Sequence, residues 1–257
     1  MKRRAAQLIE ALGTWSAGQS GQATARTRVA GLGLNPKLAG QAGQLLNSAP
    51  QAVLRVIDVQ YGGILSSTAN ALVVEEQWLL NPDGSTRHTG LTVQVLLDAA
   101  RPRWTVTSLI PADPKPPATH PGQVAASVLA NPRIHLPFAA AADVRSGSID
   151  PKVLTTLNTL ARSHVLDVSV VESGHPINVF GTDRKSNHPQ GLAVDIWVLD
   201  GRPVIDPANR ALVLSVMRQA ATLGPYQVGG PEDLDGDGLL YFSDNTHQDH
   251  IHLGFHP

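Results

Sequence analysis

The sequence predicts an α+β protein in two parts: a small α+β domain, then a domain with a small antiparallel sheet flanked by helices. Three observations carry that prediction. The first 50 residues are rich in Ala, Leu and Gln, whereas from Ala52 to Leu109 the texture turns β-branched and alternating. Five prolines fall in the eleven residues from Pro111 to Pro121, which forces an extended, donor-poor chain. Beyond them helix and strand signals alternate again, without an internal repeat. The expected division is a helical segment with a flexible connector over 1–50, a strand-rich domain over 51–110, a proline-rich linker over 111–123 and a second domain over 124–257. At 257 residues the chain is long enough for two cores.

The opening stretch MKRRAAQLIEALGTW has the basic start of a secretion signal, but Gln7 and Glu10 interrupt its apolar run. With Leu8, Ile9 and Leu12 it reads instead as a short amphipathic helix. Ser16 to Ala25 is a small-residue stretch with nothing to bury, expected as a mobile connector, and a mostly helical run follows to about Leu46. AVLRVIDVQY, NALVVEEQWLL, LTVQVLLDA and WTVTSLI then read as strands, with Asn81-Pro82-Asp83-Gly84 as a hairpin turn. This order of helix followed by meander resembles that of cystatin-like domains.

In the second half, Asp150 and Pro151 supply an N-cap and a first-turn proline for a helix to about Ser163. VLDVSVV is a buried strand, a further helix fits Pro207 to Leu223, and the chain closes on a strand from His250 to Phe255.

Composition narrows the chemistry. A net charge of −1 with 16% charged residues offers no basic field to hold a phosphate backbone, which argues against nucleic acid. No segment approaches the roughly 18 consecutive apolar residues of a membrane span. There is no cysteine, so any metal must be held by His, Asp or Glu.

One constellation meets that requirement. In Ser186-Asn-His-Pro-Gln-Gly-Leu-Ala-Val-Asp195, a Pro and a Gly between His188 and Asp195 rule out a regular helix. The pair therefore belongs to a loop and the strand it enters, and alternation gives Asp195 a fixed face of that strand. In Asp249-His-Ile-His252 the two imidazoles lie two apart and are expected on one strand face, which would put Asp249 on the other unless the strand bends. Two imidazoles and one carboxylate suit a catalytic zinc, which takes three protein ligands and keeps a fourth position open.

SNHPQGLAVD matches the pattern S-x-H-x-x-G-x-A-x-D, and DHIH the terminal motif, of the LAS metallopeptidases, the superfamily of lysostaphin-type enzymes, D-alanyl-D-alanine metallopeptidases and the hedgehog signalling domain. The resemblance covers about residues 124 to 257 and is nearest the D-Ala-D-Ala carboxypeptidase branch. It implies that His188, Asp195 and His252 bind one zinc, that Asp249 is the general base, and that His250 assists the tetrahedral intermediate. It further implies a hydrolase acting on peptidoglycan stems or bridges, and hence an extracellular or cell-envelope location. The family carries an Arg after a Ser-Gly-aromatic turn, and here that turn reads Glu172-Ser173-Gly174-His175-Pro176. The anchor for a terminal carboxylate is missing from that place, with His175 in the aromatic position. Arg184 is the nearest substitute, beside Ser186 at the substrate; without it, cleavage within a peptide bridge replaces removal of a terminal residue. A zinc-containing recognition module of the hedgehog kind is the alternative reading. A third makes the protein a delivered effector or phage-type lysin whose first domain binds a partner.

The remaining histidines His88, His120, His135, His164 and His256 read as surface or hydrogen-bonded residues, and His247, three residues before His250, as a solvated loop residue or else a contact to substrate or metal. Asp233, Asp235, Asp237 and Asp244 fit the spacing of a calcium loop, or else form an acidic turn. Trp197 shares the strand face of Asp195 and belongs either to a cleft or to the core.

Overall fold

The computed structural model describes all residues 1–257, and they form two compact units, Met1–Ala112 and Asp113–Pro257. Both are α+β.

In the first unit, helices α1 (Lys2–Gly13) and α2 (Gln22–Gly31) and two short 3-10 turns precede four strands. These are β1 (Gln51–Ile64), β2 (Thr68–Leu80), β3 (Thr86–Asp98) and β4 (Thr105–Pro111), an antiparallel meander in sequence order. Ala5, Leu8, Ile9 and Leu12 recur at helical spacing and are all buried, sharing a core with Val73, Val93, Val95 and Leu97 of the sheet. Each such Leu or Ile contributes about 1.5–3 kcal/mol by leaving water. The residues before Gln51 are therefore part of the same core as the meander. The connector expected through Ala25 is replaced by α2 from Gln22, because Ala25 and Val29, four apart, give that segment an apolar stripe. The helical run expected from there to Leu46 is helical through Gly31 as the end of α2, and beyond it is only the 3-10 turns Pro36–Gln41 and Gly43–Leu45, since Pro36, Gly40 and Gly43 punctuate it. The hairpin at Asn81 closes as expected: Gly84 N–H donates to the Asn81 carbonyl at 3.0 Å, and Asp83 accepts from Ser85 N–H at 2.9 Å.

Glu75 and Gln77 break the apolar pattern of the inner sheet face. Glu75, on the face of Val73, is 1% exposed, and burial raises its carboxyl from 4.5 to about 8, opposed by a backbone hydrogen bond from Leu91. Between those two pH values the folded chain holds a proton that the unfolded chain has lost. The stability this gives is complete below about pH 4.5 and is lost as pH rises through about 8. The protection of β2 and β3 amides, corrected for the rise of the intrinsic exchange rate with pH, is expected to fall across that window by on the order of a few kcal/mol and to be flat there in Glu75→Gln.

The second unit runs α3 (Gln123–Ala130), β5 (Ile134–His135), α4 (Phe138–Ser146), α5 (Pro151–Leu160), β6 (Leu166–Val170), β7 (Ala193–Leu199), β8 (Arg202–Pro203), α6 (Arg210–Ala221), β9 (Gln227–Gly229), β10 (Tyr241–Phe242) and β11 (Ile251–Gly254). Its sheet is ordered β10-β9-β11-β7-β6-β5, with β8 against β7. The centre is antiparallel, as expected, but β5 runs parallel to β6 and β10 parallel to β9, so the sheet is mixed at its edges. Asp150 caps α5 by accepting from Lys152 N–H at 2.8 Å, with Pro151 in the first turn. The helix expected from Pro207 begins there as a 3-10 turn and becomes α6 at Arg210. Val168, Val194, Ile196, Leu253 and Phe255 meet Val153, Leu157, Val213 and Met217 in one core. Neither unit contains a helix long and apolar enough to cross a membrane.

The central strands fix the site. β7 and β11 are hydrogen-bonded neighbours, and their register sets Asp195 directly opposite His252.

Candidate metal centre

Three side chains meet at one point. His188 Nε2 lies 3.1 Å from Asp195 Oδ1 and 3.2 Å from His252 Nδ1, and His252 Nδ1 lies 3.0 Å from the same Asp195 oxygen. Asp195 and His252 owe their approach to the β7–β11 register, because directly opposed residues carry their side chains on the same face. His188 arrives from the turn His188–Gln190.

That turn is built to hold one imidazole. Ser186 Oγ accepts from His188 N–H at 3.4 Å, and the Ser186 carbonyl accepts from the Gln190 side chain at 3.0 Å. His188 Nδ1–H donates to the Val171 carbonyl at 2.8 Å, which leaves the Nε2 lone pair for the cluster. Gly191 ends the turn at φ 69°, and a Cβ there would collide with the Ser148 carbonyl oxygen. Gly191→Ala is therefore expected to destabilise the second unit by more than about 2 kcal/mol, read as a lower denaturation midpoint, because left-handed strain adds to a backbone clash.

A fourth donor is close by. His175, His188 and Asp195 offer ligand atoms that all lie within 4.8 Å of one another, a group able to hold a metal ion. The His175 ring stacks on His188, with centroids 4.1 Å apart and an interplanar angle of 16°. The resemblance places His175 at the substrate; the structure puts it within ligand reach. The tighter triangle is still that of His188, Asp195 and His252. His175 is carried by the turn after β6, where Asp143 of α4 accepts from Glu172 N–H at 3.0 Å, from Ser173 N–H at 2.8 Å and from the Ser173 hydroxyl. Glu172 itself meets Lys115 and the Ser148 hydroxyl.

The electrostatics favour ligand forms of these groups. Burial opposes the charge on Asp195, but His188 and His250 outweigh it and hold the carboxyl well below its ordinary range. Burial lowers His252 to about 4, against the pull of Asp195. Burial, then the neighbouring His188, takes His175 well below its ordinary value. An ionised carboxylate beside two imidazoles that burial holds toward the neutral form, His175 and His252, is a donor set suited to a divalent cation.

Asp249 and His250 sit beside the triangle, though not as strand alternation predicts. β11 begins at Ile251, so both residues belong to the turn before it and the expected opposition of faces does not apply. His250 Nδ1–H donates to Asp249 Oδ1 at 2.6 Å, and His250 Nε2 faces Asp195 Oδ2 at 3.8 Å. Both side chains are buried.

His247 is half-buried beside the cluster and not fully solvated. Its ring lies 5.0 Å from that of His250 and 5.7 Å from that of His252, meets Phe242 edge-on at 4.6 Å, and is fixed by Asp244 at 2.8 Å. Burial would raise the Asp244 carboxyl, but His247 and two backbone N–H groups lower it to about 2. Arg184 is exposed, and no hydrogen bond or ion pair draws its guanidinium toward the cluster. The acidic loop forms turns of its own: Asp233 accepts from the N–H groups of Asp235 and Gly236, and Asp235 from those of Leu240 and Tyr241. Those turns engage Asp233 and Asp235 with backbone N–H groups. Trp197 is half-buried. The other histidines have partners elsewhere: His88 stacks on Trp78, His135 pairs with Asp167, His164 with Asp200, and His256 stacks on Tyr226, while His120 is exposed.

Sequence reasoning missed Asp143. The signal for Asp143 was present, as one acid inside the apolar run FAAAADV.

No family model matches the chain, and no curated protein matches it. Among solved structures, it is similar to a nuclear transport factor 2 (NTF2-like) superfamily protein from Salmonella enterica subsp. enterica serovar Typhimurium str. LT2, at 11% identity, over 47% of this chain and 91% of that one. The TM-score of 0.29 is below that of a shared fold.

Proposed function

We propose that the second unit is a zinc-dependent peptidase acting on peptide stems or bridges of bacterial peptidoglycan, of the D-Ala-D-Ala carboxypeptidase or endopeptidase type. The observation that carries the reading is the His188–Asp195–His252 triangle. Its edges of 3.0, 3.1 and 3.2 Å approach the roughly 3.3 Å between ligands of a tetrahedral zinc with 2.0–2.1 Å bonds. Two nitrogens and one oxygen, with no cysteine in the chain, fit that ion. Both the motif pattern and the β7–β11 pairing are consistent with a peptidase fold of the hedgehog and D-Ala-D-Ala type. The first unit is read as cystatin-like, with no part in catalysis.

When bound, zinc supplies Lewis acidity, lowering the pKa of a water and polarising a peptide carbonyl. The residues do the rest. Asp249 moves a proton at its carboxylate, taking it from the attacking water and returning it to the departing amine. The Asp249–His250 hydrogen bond orients the imidazole, so that its Nε2 faces the cluster and stabilises negative charge developing on the carbonyl oxygen. The His188 bond to Val171 and the Asp143-held turn keep two donor rings in place. With Arg184 exposed, the carboxylate anchor of the carboxypeptidases has no counterpart drawn into the cluster, which favours cleavage within a peptide. This substrate places the protein outside the cytoplasm, at the cell envelope.

The experiment pairs metal analysis of the purified protein with mass spectrometry of digested peptidoglycan fragments. About one zinc per chain and cut fragments support the proposal, and the product masses name the bond. Zinc without cleavage of any fragment transfers the site to a recognition role, and absence of bound zinc overturns both readings.

A further inference from the structure

A second candidate site lies in the first unit, apart from the metal cluster in both chain and chemistry. On β2, Ala71, Val73, Glu75, Gln77 and Leu79 share one face by alternation, and its apolar members lie in the unit's core. At Glu75 and Gln77 that face turns polar. Gln77 spends its side-chain N–H groups on the carbonyls of Gly13 and Leu45, at 2.8 and 3.1 Å, so only its oxygen remains to meet a ligand. Glu75, 1% exposed, has a carboxyl oxygen, Oε2, with no hydrogen-bond partner. A buried oxygen without a partner is a standing cost, and packing gives no reason for a carboxyl here when leucine would complete the face.

That carboxyl lines a cavity of about 150 Å³ between the sheet and the 44–47 segment. Gln44 and Asn47 line it from the segment, and Thr89 and Arg87 from β3. The register grades the chemistry along the cleft: Glu75 pairs with Leu91, Gln77 with Thr89, and Leu79 with Arg87. Acceptors thus lie at the inner end and a guanidinium about 13 Å further along the strand at the backbone, a gap the two side chains shorten. Arg87 is exposed and forms no hydrogen bond or ion pair with the protein. An unmatched carboxyl and an unmatched guanidinium at opposite ends of one cleft are complementary to a molecule with the opposite pair of charges.

We propose that this cleft binds a small zwitterion, its ammonium group against Glu75 and its carboxylate against Arg87. The inner amide and hydroxyl groups accept ligands of limited length, so affinity peaks at one separation of the two charges. Because Glu75 is protonated near neutral pH, pairing with an ammonium group expels that proton to solvent.

The test is calorimetry of the full chain at pH 7 with glycine, β-alanine, 4-aminobutyrate and 5-aminopentanoate, in buffers of differing ionisation enthalpy. One-site binding with a single best length is expected, with release of close to one proton per ligand. Glu75→Gln and Arg87→Gln are each expected to weaken binding at least tenfold, and Glu75→Gln to abolish the proton release. Butylamine and butyrate, each with one charge, are expected to bind at least tenfold more weakly than the best zwitterion. Thermal melts check that the variants fold; if Glu75→Gln does not, the exposed Arg87→Gln carries the comparison. The proposal is overturned if no zwitterion binds at millimolar concentration, or if butylamine binds as well as the best of them. Binding that persists in Glu75→Gln but disappears in His188→Ala also overturns it, by placing the ligand at the metal cluster.

Discussion

His188→Ala is expected to lose stoichiometric zinc and to lower peptide hydrolysis by at least about a thousandfold. Removing a direct ligand affects both quantities, where loss of an outer partner costs only about 10–100-fold. His188 is 0% exposed and joins three parts of the site: the Val171 carbonyl, the Asp195 carboxylate and the His252 ring. Alanine leaves Asp195 and His252 in register but removes one corner of the triangle. The measurement is metal content beside turnover, with circular dichroism to confirm that β7 and β11 still pair. Full zinc occupancy in the variant would remove His188 from the ligand set.

Asp249→Asn is expected to behave differently, keeping zinc while losing about 10²- to 10⁴-fold in turnover, the range for removal of a positioned proton carrier. Asparagine preserves the shape and can still accept the bond from His250 Nδ1–H, but it cannot hold a proton at neutral pH. The variant therefore isolates proton transfer from folding and from metal affinity. Steady-state kinetics with bound zinc measured in the same preparation reads the two apart. Unchanged turnover would assign the base to another group, of which His250 is the nearest.

The sequence was most informative where local rules sufficed. The hairpin at Asn81 to Gly84, the Asp150 cap and the four strands of the first unit follow from turn chemistry, capping and alternation. The convergence of His188, Asp195 and His252 was accessible because the Pro and Gly between the first two exclude a helix and the signature supplied the third. What escaped was long-range. Nothing in the spacing of Glu172-Ser-Gly-His175 says that the turn will bring an imidazole onto His188, since that depends on Asp143, some 30 residues earlier, receiving its backbone N–H groups. Asp249 lies two residues before β11 begins, in the turn that serves as the bend its approach to the cluster required, so alternation does not reach it. The start of α2 was placed a few residues late because its apolar stripe is only Ala25 and Val29, too narrow to stand out among small residues.

The direct opposition of Asp195 and His252 has a thermodynamic side. The chain has no cysteine and therefore no covalent cross-link, yet a metal held by His188 and His252 would tie together positions 64 residues apart. A metal bound by the folded chain alone stabilises it by mass action, about 1.4 kcal/mol for each tenfold excess of free metal over the dissociation constant. Unlike a disulfide, this fastening is indifferent to reductants and yields to chelators. In an oxidising or a reducing medium alike, the durability of the second unit would then be set by free metal concentration.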